Sequence, residues 1–239
     1  MKYSIIIPAL NEEMRILSTL DDLVAFIKKQ RLDVEIIVVA AKGTDRTIEV
    51  VEKYLKNRDN IRLIKPGDPV GKGRDVAVGM KVAKGDFHVF MDADLATPLK
   101  YFKKMINRLD KKTDIIIGVR PLMTIHKGPR KYLSFGWNLL AKSFLGLTTT
   151  DTQCGFKLFS KHASKLIFAD LESKKWLFDM EVLVAADYHS LKTEEIEISD
   201  WRNQPGGSFN KQIVRDSFAT FSEFISIYKL KKTKYKNIK

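Results

Sequence analysis

The sequence has little cysteine and no long apolar run. Cys154 is the only cysteine among the 239 residues, which excludes an internal disulfide framework and fits a reducing compartment. We interpret this side chain as a small buried hydrophobe. No stretch of about eighteen apolar residues occurs, so we predict no transmembrane helix. The opening residues MKYSIIIPALNEE hold an apolar run too short for a signal peptide, and we therefore expect a cytoplasmic protein.

The composition is that of a folded, basic protein. Hydrophobic residues make up 44% of the chain, with 13 glycines and 7 prolines, which is enough to bury a core. The formal net charge is +13, and the last eleven residues, KLKKTKYKNIK, contain six lysines and no acid. Such a tail suits an anionic membrane surface or a nucleic acid, or it is only a solubilising end.

Strand and helix patterns alternate over the first half of the chain. Five short runs rich in Ile and Val predict strands: YSIIIPA, VEIIVVA, IRLIK, FHVFMDAD and DIIIGV. Helical spacing recurs from Met14 to Ile27, and again from Phe102 to Leu109 with Thr97 as the predicted N-cap and Pro98 in the first turn. We predict an α/β fold, a mostly parallel sheet flanked by helices, with ligands bound beyond the carboxyl ends of its strands.

Polar loops follow the first four predicted strands and are expected to line one crevice. Asp92 and Asp94 offer the hard oxygen ligands that suit Mg²⁺ or Mn²⁺, and such a cation can bridge a diphosphate. The alternative is a helix cap in a solvated turn. The Gly-Lys-Gly turn at 71–73 opens a helix where free N–H groups and Lys72 could bind a phosphate, or it is a plain turn.

Six motifs in a fixed order carry a resemblance to a known family. They are IIIPALNEE, the Gly-Lys-Gly turn, MDADLATP, DTQCGFKLF, WLFDMEVL and WRNQPGGS. In this order they resemble glycosyltransferase family 2, in particular polyprenyl-phosphate sugar synthases of the dolichyl-phosphate glucose and mannose type. The resemblance implies a GT-A domain over residues 1–210, followed by an amphipathic helix and basic tail at 211–239. It also implies inverting transfer of a hexose from UDP-glucose or GDP-mannose to a polyprenyl or dolichyl phosphate.

The donor site follows from the resemblance together with the polar loops. The expected donor-binding residues are Pro8, Ala9, Asn11, Glu12, Asp45, Lys72, Asp92, Ala93 and Asp94, of which Asp92 and Asp94 would bind the metal. One departure concerns the second strand, after which the family commonly reads Asp-Asp-Gly-Ser. This chain has Ala40 and Ala41 there, so base recognition must differ in detail and both UDP and GDP donors stay open.

The acceptor side is expected to supply cations and carboxylates. Arg130 and Ser134 lie four residues apart on one helical face, where they could bind one phosphate. The resemblance adds Arg120 and Arg202 as acceptor-phosphate residues. Three carboxylates are the expected catalytic residues: Asp94, Asp151 as an acceptor-side residue and possible base, and Asp179 to orient donor sugar or lysines. For Asp179, anchoring a loop or capping a helix is the alternative.

Two segments predict attachment to a membrane surface. The aromatic helix at 130–147 is interpreted as lying in a membrane interface, with a core helix as the alternative. Residues 218–228 place Phe218, Phe221, Phe224, Ile225 and Tyr228 on one face, ahead of the lysines. We expect a peripheral or monotopic protein on the cytoplasmic face and no nucleic-acid partner. A different acceptor, or a catalytically silent nucleotide-sugar-binding protein, stays open as an alternative, and no oligomeric state is predicted.

Overall fold

A computed structural model describes residues 2–56, 58–110, 112–121, 129–202 and 217–236, with backbone only for 129–135 and 217–218. The strands in these ranges are β1 Tyr3–Ala9, β2 Val34–Ala40, β3 Ile61–Ile64, β4 Phe87–Met91, β5 Ile115–Val119, β6 Phe156–Ser160 and β7 Thr193–Glu197. The helices are α1 Ile16–Gln30, α2 Thr47–Leu55, α3 Lys72–Val82, α4 Lys100–Arg108, α5 Pro129–Leu145, α6 Lys161–Ala169, α7 Phe178–Tyr188 and α8 Ser217–Thr233.

The strands form one sheet in the order β3-β2-β1-β4-β6-β5-β7. Strand β6 pairs antiparallel with both β4 and β5, and every other neighbouring pair is parallel. The predicted mostly parallel sheet is therefore confirmed. Because β1, β2, β3 and β4 run in one direction, the loops after them emerge at the same edge of the sheet.

Both faces of the sheet are covered by helices, which explains why its central strands are mostly apolar. Alternate residues of β1 enter different cores, with Ile5 and Ile7 on one face and Ile6 on the other. Buried side chains of α1 and α4 pack on the first face, whereas those of α3, α5, α6, α7 and α8 pack on the second. Central strands of a doubly covered sheet read as continuous hydrophobic runs.

The start of α4 differs from the prediction. Thr97 was expected to cap this helix, but the helix begins at Lys100, and Leu99 occupies the N-cap without a side-chain hydrogen bond. Thr97 is buried in the turn that leads away from β4. The three residues before the helix are thus used to shape that turn, and the predicted cap was wrong.

The C-terminal helix α8 packs against α5 through aromatic rings. Phe224 lies 5.9 Å from Trp137 and 6.3 Å from Phe144 between ring centroids, and Tyr228 lies 5.8 Å from Phe144. Phe224 is only 2% exposed, whereas Phe221 is 51% exposed. The face expected to contact a membrane is therefore partly used inside the fold, and the side chain of Phe218 lies outside the described residues.

Helix α5 likewise serves the core and the surface. Ala141 and Leu145 are buried in the core, while Leu139 and Phe144 are about half exposed. The alternative, a core helix, therefore holds for the buried face of this helix, and the membrane interface stays a prediction. Within the described ranges, the structure contains no helix that is long and apolar enough to cross a membrane.

Candidate active site

Asp92 and Asp94 lie on a tight turn at the carboxyl end of β4. Thr19 of α1 donates a hydrogen bond to the carbonyl oxygen of Ala93 at 2.6 Å, which fixes the middle of the turn. Asp94 accepts one from the Ala96 N–H at 3.0 Å. Burial and the neighbouring Asp92 raise the pKa of the Asp94 carboxyl group above its usual range. The two carboxylates are thus held close together, at an energetic cost that a cation would relieve.

Lys72 is the nearest compensating charge. Its Nζ lies 2.5 Å from Asp92 Oδ1, 5.0 Å from the Phe90 ring centroid and 5.6 Å from that of Trp176. Burial alone would lower the pKa of Lys72, but Asp92 and Asp179 outweigh burial and raise it above the usual range. Lys72 therefore stays positively charged at physiological pH.

The Gly-Lys-Gly turn around Lys72 is packed closely against residues 174–175. The N–H of Gly73 donates to the Lys175 carbonyl at 3.1 Å, and the N–H of Arg74 donates to the Lys174 carbonyl at 3.0 Å. A Cβ on Gly71 would lie 2.4 Å from the Lys174 carbonyl oxygen. Two of the N–H groups expected to be free at this helix start are therefore already bonded, and the Lys72 side chain reaches Asp92.

Gly155, in the DTQCGF motif, lies directly behind Asp92. A Cβ at this position would be 2.0 Å from Asp92 Oδ2, far inside van der Waals contact. The close approach arises because β6 pairs with β4, with Phe156 opposite Met91. Any larger residue at 155 would displace the Asp92 carboxylate.

Arg120 reaches the cleft from the end of β5 and is held by Asp151. Arg120 Nε lies 2.5 Å from Asp151 Oδ2, and a terminal guanidinium nitrogen lies 3.0 Å from Oδ1. The backbone N–H of Arg120 donates to Oδ2 at 3.1 Å. Burial alone would raise the pKa of Asp151, but the guanidinium outweighs burial and holds that pKa below its usual range. Since Asp151 is 1% exposed with both oxygens engaged, this geometry does not fit the expected base; it fits a residue that positions Arg120.

Asp179 forms a second buried ion pair. Lys157 Nζ lies 2.5 Å from Asp179 Oδ1 and 2.6 Å from the Cys154 carbonyl oxygen. Burial raises the pKa of Asp179, while Lys157 and Lys72 oppose that shift. Asp179 was expected to orient the donor sugar or lysines, and the structure places it against Lys157. The same lysine donates to the Cys154 carbonyl oxygen, so the ion pair also holds the loop that carries Cys154.

The loops after β1 and β2 are bonded to each other. Asn11 Oδ1 accepts the N–H of Thr44 at 2.8 Å, and Asp45 Oδ2 accepts the N–H of Glu13 at 2.9 Å. Asp45 Oδ1 also accepts the N–H and hydroxyl of Thr47. Asn11 and Asp45 were expected to bind the donor. In the structure these oxygens accept hydrogen bonds that join the two loops.

The ends of β1 and β2 present small side chains. Ala9 pairs with Ala40 in the sheet register, and Ala9, Ala40 and Ala41 are all buried, whereas Pro8 is partly exposed. The positions where the family commonly has aspartates therefore offer only apolar surface here. No base-binding carboxylate stands at those two positions.

The side chains of the cleft come from four of the expected regions. Its lining residues are Met91, Asp92, Asp94, Ala96, Thr97, Arg120, Gly155, Phe156 and Trp201. The exposed Arg202 donates its backbone N–H to the Ala96 carbonyl at 2.9 Å, next to this cleft. The side chains of Arg130 and Ser134 lie outside the described residues.

Sequence reasoning missed two tryptophans at this site. The guanidinium carbon of Arg120 lies 5.4 Å from the Trp201 ring centroid, and Trp176 faces Lys72. Both belong to the motifs WLFDMEVL and WRNQPGGS, so the signal was present in the sequence. Their ring faces flank the two cations of the site.

The residues present fit a divalent cation that takes its other ligands from substrate and water. In the parts of the chain that the structure describes, there is no group of three or more His, Cys, Asp or Glu side chains that could hold a metal ion. Asp92 and Asp94 supply two carboxylates, and Mg²⁺ is usually bound by one or two carboxylates together with substrate phosphates and water. The donor set therefore suits a cation that arrives with a diphosphate.

The chain belongs to a known family. Residues 4–168 match the family described as Glycosyl transferase family 2, so the chain is a member of glycosyltransferase family 2. It is 30% identical to a dolichyl-phosphate beta-glucosyltransferase of Dictyostelium discoideum over 95% of this chain and 76% of that one. It is 33% identical to the Saccharomyces cerevisiae enzyme of the same name over 85% of this chain and 67% of that one. The family prediction is confirmed.

Other relatives are matched over a smaller share of their length. A dolichyl-phosphate beta-glucosyltransferase of Trichomonas vaginalis is 33% identical, and the match spans 66% of that protein. Among solved structures, glucosyl-3-phosphoglycerate synthase from Mycobacterium tuberculosis in complex with Mn²⁺, UDP and phosphoglyceric acid has a TM-score of 0.67 at 19% identity, over 95% of this chain and 78% of that one. This likeness confirms the GT-A fold.

Gly155→Ala should weaken cation binding about 10- to 100-fold, the range typical of a lost supporting contact at a metal site. The reason is the 2.0 Å approach of the added Cβ to Asp92 Oδ2. Mn²⁺ titration in the presence of UDP measures the affinity. Gly136→Ala is the control, because an added Cβ there meets no atom of the described residues within 4 Å; equal affinities of the two variants would contradict the role of Gly155.

Glu12 should make the stability of the protein pH-dependent. Burial raises its pKa from 4.5 to about 7, with Arg15 opposing the shift and Asp94 adding to it. Because the pKa of Glu12 is higher in the folded than in the unfolded protein, the protonated carboxyl group favours the folded state. This contribution to stability is complete below about pH 4.5 and is lost as the pH rises to about 7. Thermal unfolding in chelator should show a fall in Tm across this window that Glu12→Gln reduces. An identical slope in both proteins would contradict the assignment.

Proposed function

We propose that this chain transfers glucose from a nucleotide diphosphate sugar to a polyprenyl phosphate of the dolichyl type. The observation that carries the proposal is the cleft that Asp92, Asp94 and Arg120 line together, with Lys72 paired to Asp92. The relatives named dolichyl-phosphate beta-glucosyltransferases support the sugar and the acceptor. The identity of the donor base is part of the test.

On the donor side, Asp92 and Asp94 would hold Mg²⁺ or Mn²⁺ with the diphosphate of the nucleotide sugar. When bound, the cation offsets the negative charge that develops on the leaving diphosphate. Lys72 adds a fixed positive charge beside Asp92. The loops after β1 and β2, with Pro8, Ala9, Asn11 and Glu12, would shape the rest of the donor pocket.

On the acceptor side, the nucleophile needs little activation. A phosphate monoester has a second pKa near ~6, so it is largely a dianion at neutral pH. Asp151 is already paired with Arg120, so we assign no general base. The guanidinium of Arg120, held at the cleft by that pair, and the exposed Arg202 are the proposed phosphate ligands, and Arg130 and Ser134 stay candidates.

The reaction would be a single in-line displacement. An oxygen of the lipid phosphate attacks the anomeric carbon, the bond to the donor diphosphate breaks, and the configuration inverts to give a β-linked product from an α-linked donor. The protein's contribution is to bring two anions together against their repulsion and to orient them. Lys72, paired with Asp92, and Arg120, which lines the same cleft, are the cations that would reduce this repulsion.

Asp92→Asn and Asp94→Asn should each lower transfer by at least about a hundredfold, since a lost metal ligand removes several kcal/mol of charge stabilisation. The assay combines radiolabelled UDP-glucose, GDP-mannose or other hexose donors with dolichyl phosphate and Mn²⁺ or Mg²⁺. Asp59→Asn is the matched control, because Asp59 is an exposed aspartate in the loop between α2 and β3.

Several outcomes would contradict the proposal. Transfer that persists in both variants, or in excess chelator, would remove the metal site. Transfer to a soluble acceptor alone would agree with the family but would show that the acceptor is not a lipid phosphate. Donor binding without transfer to any acceptor would indicate a catalytically silent nucleotide-sugar-binding protein.

We also propose that the protein works as a peripheral protein at the cytoplasmic surface of an anionic membrane. Three large apolar side chains of α5 and α8 are 49–53% exposed: Leu139, Phe144 and Phe221. Lys229 and Lys232, near the end of α8, are exposed beside them in the chain. An apolar surface together with a polybasic segment supplies two weak attachment signals that add.

Lys229→Ala with Lys232→Ala should weaken binding to anionic vesicles by up to about 30-fold, because each lysine near such a surface contributes at most about 1 kcal/mol. High salt should have the same effect, since it screens the attraction. Flotation with phosphatidylserine vesicles measures the binding. Lys28→Ala with Lys29→Ala, exposed lysines of α1 on the other face of the sheet, is the control; equal losses in both double variants would contradict a directed surface.

A further inference from the structure

Residues 170–177, which we call the bridging segment, join α6 to α7 without helix or strand structure of their own. Its sequence is DLESKKWL. The segment lies between the start of α3, which carries Lys72, and the C-terminal residues that follow α8. Its contacts on these two sides are of different kinds.

On the α3 side, the bridging segment is bonded to the backbone next to Lys72. The carbonyls of Lys174 and Lys175 accept the N–H groups of Arg74 and Gly73 at 3.0 and 3.1 Å. The Trp176 ring centroid lies 5.6 Å from Lys72 Nζ. Moving the segment would therefore move the first turn of α3 and the ring beside Lys72.

On the opposite side, a buried carboxylate and a tyrosine hold the segment. Glu181 of α7 is 0% exposed and accepts the N–H groups of Glu172 at 3.1 Å and Ser173 at 2.6 Å. Tyr235, beyond the end of α8, donates its hydroxyl to Glu181 Oε1 at 3.0 Å. Tyr235 is itself 4% exposed, so this is a packed contact and not a surface one.

A further side chain of the C-terminal region reaches the same segment. Lys234 Nζ contacts the Asp170 carbonyl oxygen and lies 3.1 Å from Glu172 Oε1. The residues that follow α8 thus contact the first part of the bridging segment directly, through Lys234, and its next part through Glu181, which accepts from Tyr235.

We propose that Tyr235 is a positioning residue of the active site: through Glu181 it fixes the bridging segment, which in turn holds Trp176 beside Lys72 and Lys72 beside Asp92. The proposal rests on the proposed function for its kinetic consequence, because Lys72 would contact the donor side. Its structural part, the coupling between the C-terminal residues and the start of α3, is independent of any substrate.

The first test is hydrogen–deuterium exchange on the full chain carrying Tyr235→Phe. Removing the hydroxyl takes one donor from Glu181, so exchange of the amides at 172–177 and 73–74 should rise by roughly fivefold, the factor for one lost hydrogen bond. Amides of β4 should not change. Tyr228→Phe is the matched control, the same change on a ring whose described contacts are with Phe144 and Lys232.

The second test uses the donor and acceptor constants. Tyr235→Phe should raise the KM for the nucleotide sugar by about 3- to 10-fold and leave the KM for the lipid phosphate unchanged. A purely structural role would not produce this split.

The outcomes separate the two proposals. Unchanged exchange at 172–177 in Tyr235→Phe, or a rise that includes β4 equally, overturns the positioning role. Equal effects of Tyr235→Phe and Tyr228→Phe overturn it as well. The predicted exchange pattern in a protein that transfers no sugar would support the positioning role and contradict the proposed function.

Discussion

The repulsion between Asp92 and Asp94 is the constraint on which the rest of the site depends. Two carboxylates two residues apart at a strand end are costly, and the surroundings answer in three ways. Lys72 supplies a charge 2.5 Å away, Thr19 fixes the turn through Ala93, and Gly155 leaves room for the Asp92 carboxylate. Each of these residues belongs to a different element, so the sheet must be complete before the pair can be tolerated. The negative charge that remains is the reason we propose the turn as a cation site.

The sequence was sufficient for the elements whose residues decide their own environment. Strands β1 and β2 match the predicted runs residue for residue, because a strand covered on both faces is a nearly continuous apolar run. Strand β7, TEEIE, is a polar strand at the edge of the sheet. Strand β6 is antiparallel and overlaps the motif DTQCGFKLF, which was interpreted as part of the active site. Neither was predicted, since their place depends on pairing partners distant in the chain. The predicted cap at Thr97 failed for a related reason: the turn before α4 is shaped by Asp94 and the cleft.

The candidate site was predictable as a set of side chains and much less so as a set of roles. The motifs placed Asp92, Asp94, Lys72 and Arg120 together, because loops after parallel strands meet at one edge. They could not show that Asp151 would be occupied by Arg120, since a carboxylate in a motif looks the same whether it faces substrate or a guanidinium. Roles depend on hydrogen-bond partners 20 or more residues away, and these exist only in the folded chain.

Helix α8 is part of the core and also carries the surface that we propose contacts a membrane. Its Phe224 and Ile227 are buried in the core, and the residues after it contact the bridging segment and Glu181, which holds that segment. The same helix presents Phe221 and lysines outward, where an anionic surface would contact them. Removing the tail would therefore disturb the donor side of the site as well as any attachment, so loss of activity on truncation would not identify an anchor. Charge changes on the outward face, which leave the packed face intact, are the appropriate way to separate attachment from the geometry of the site.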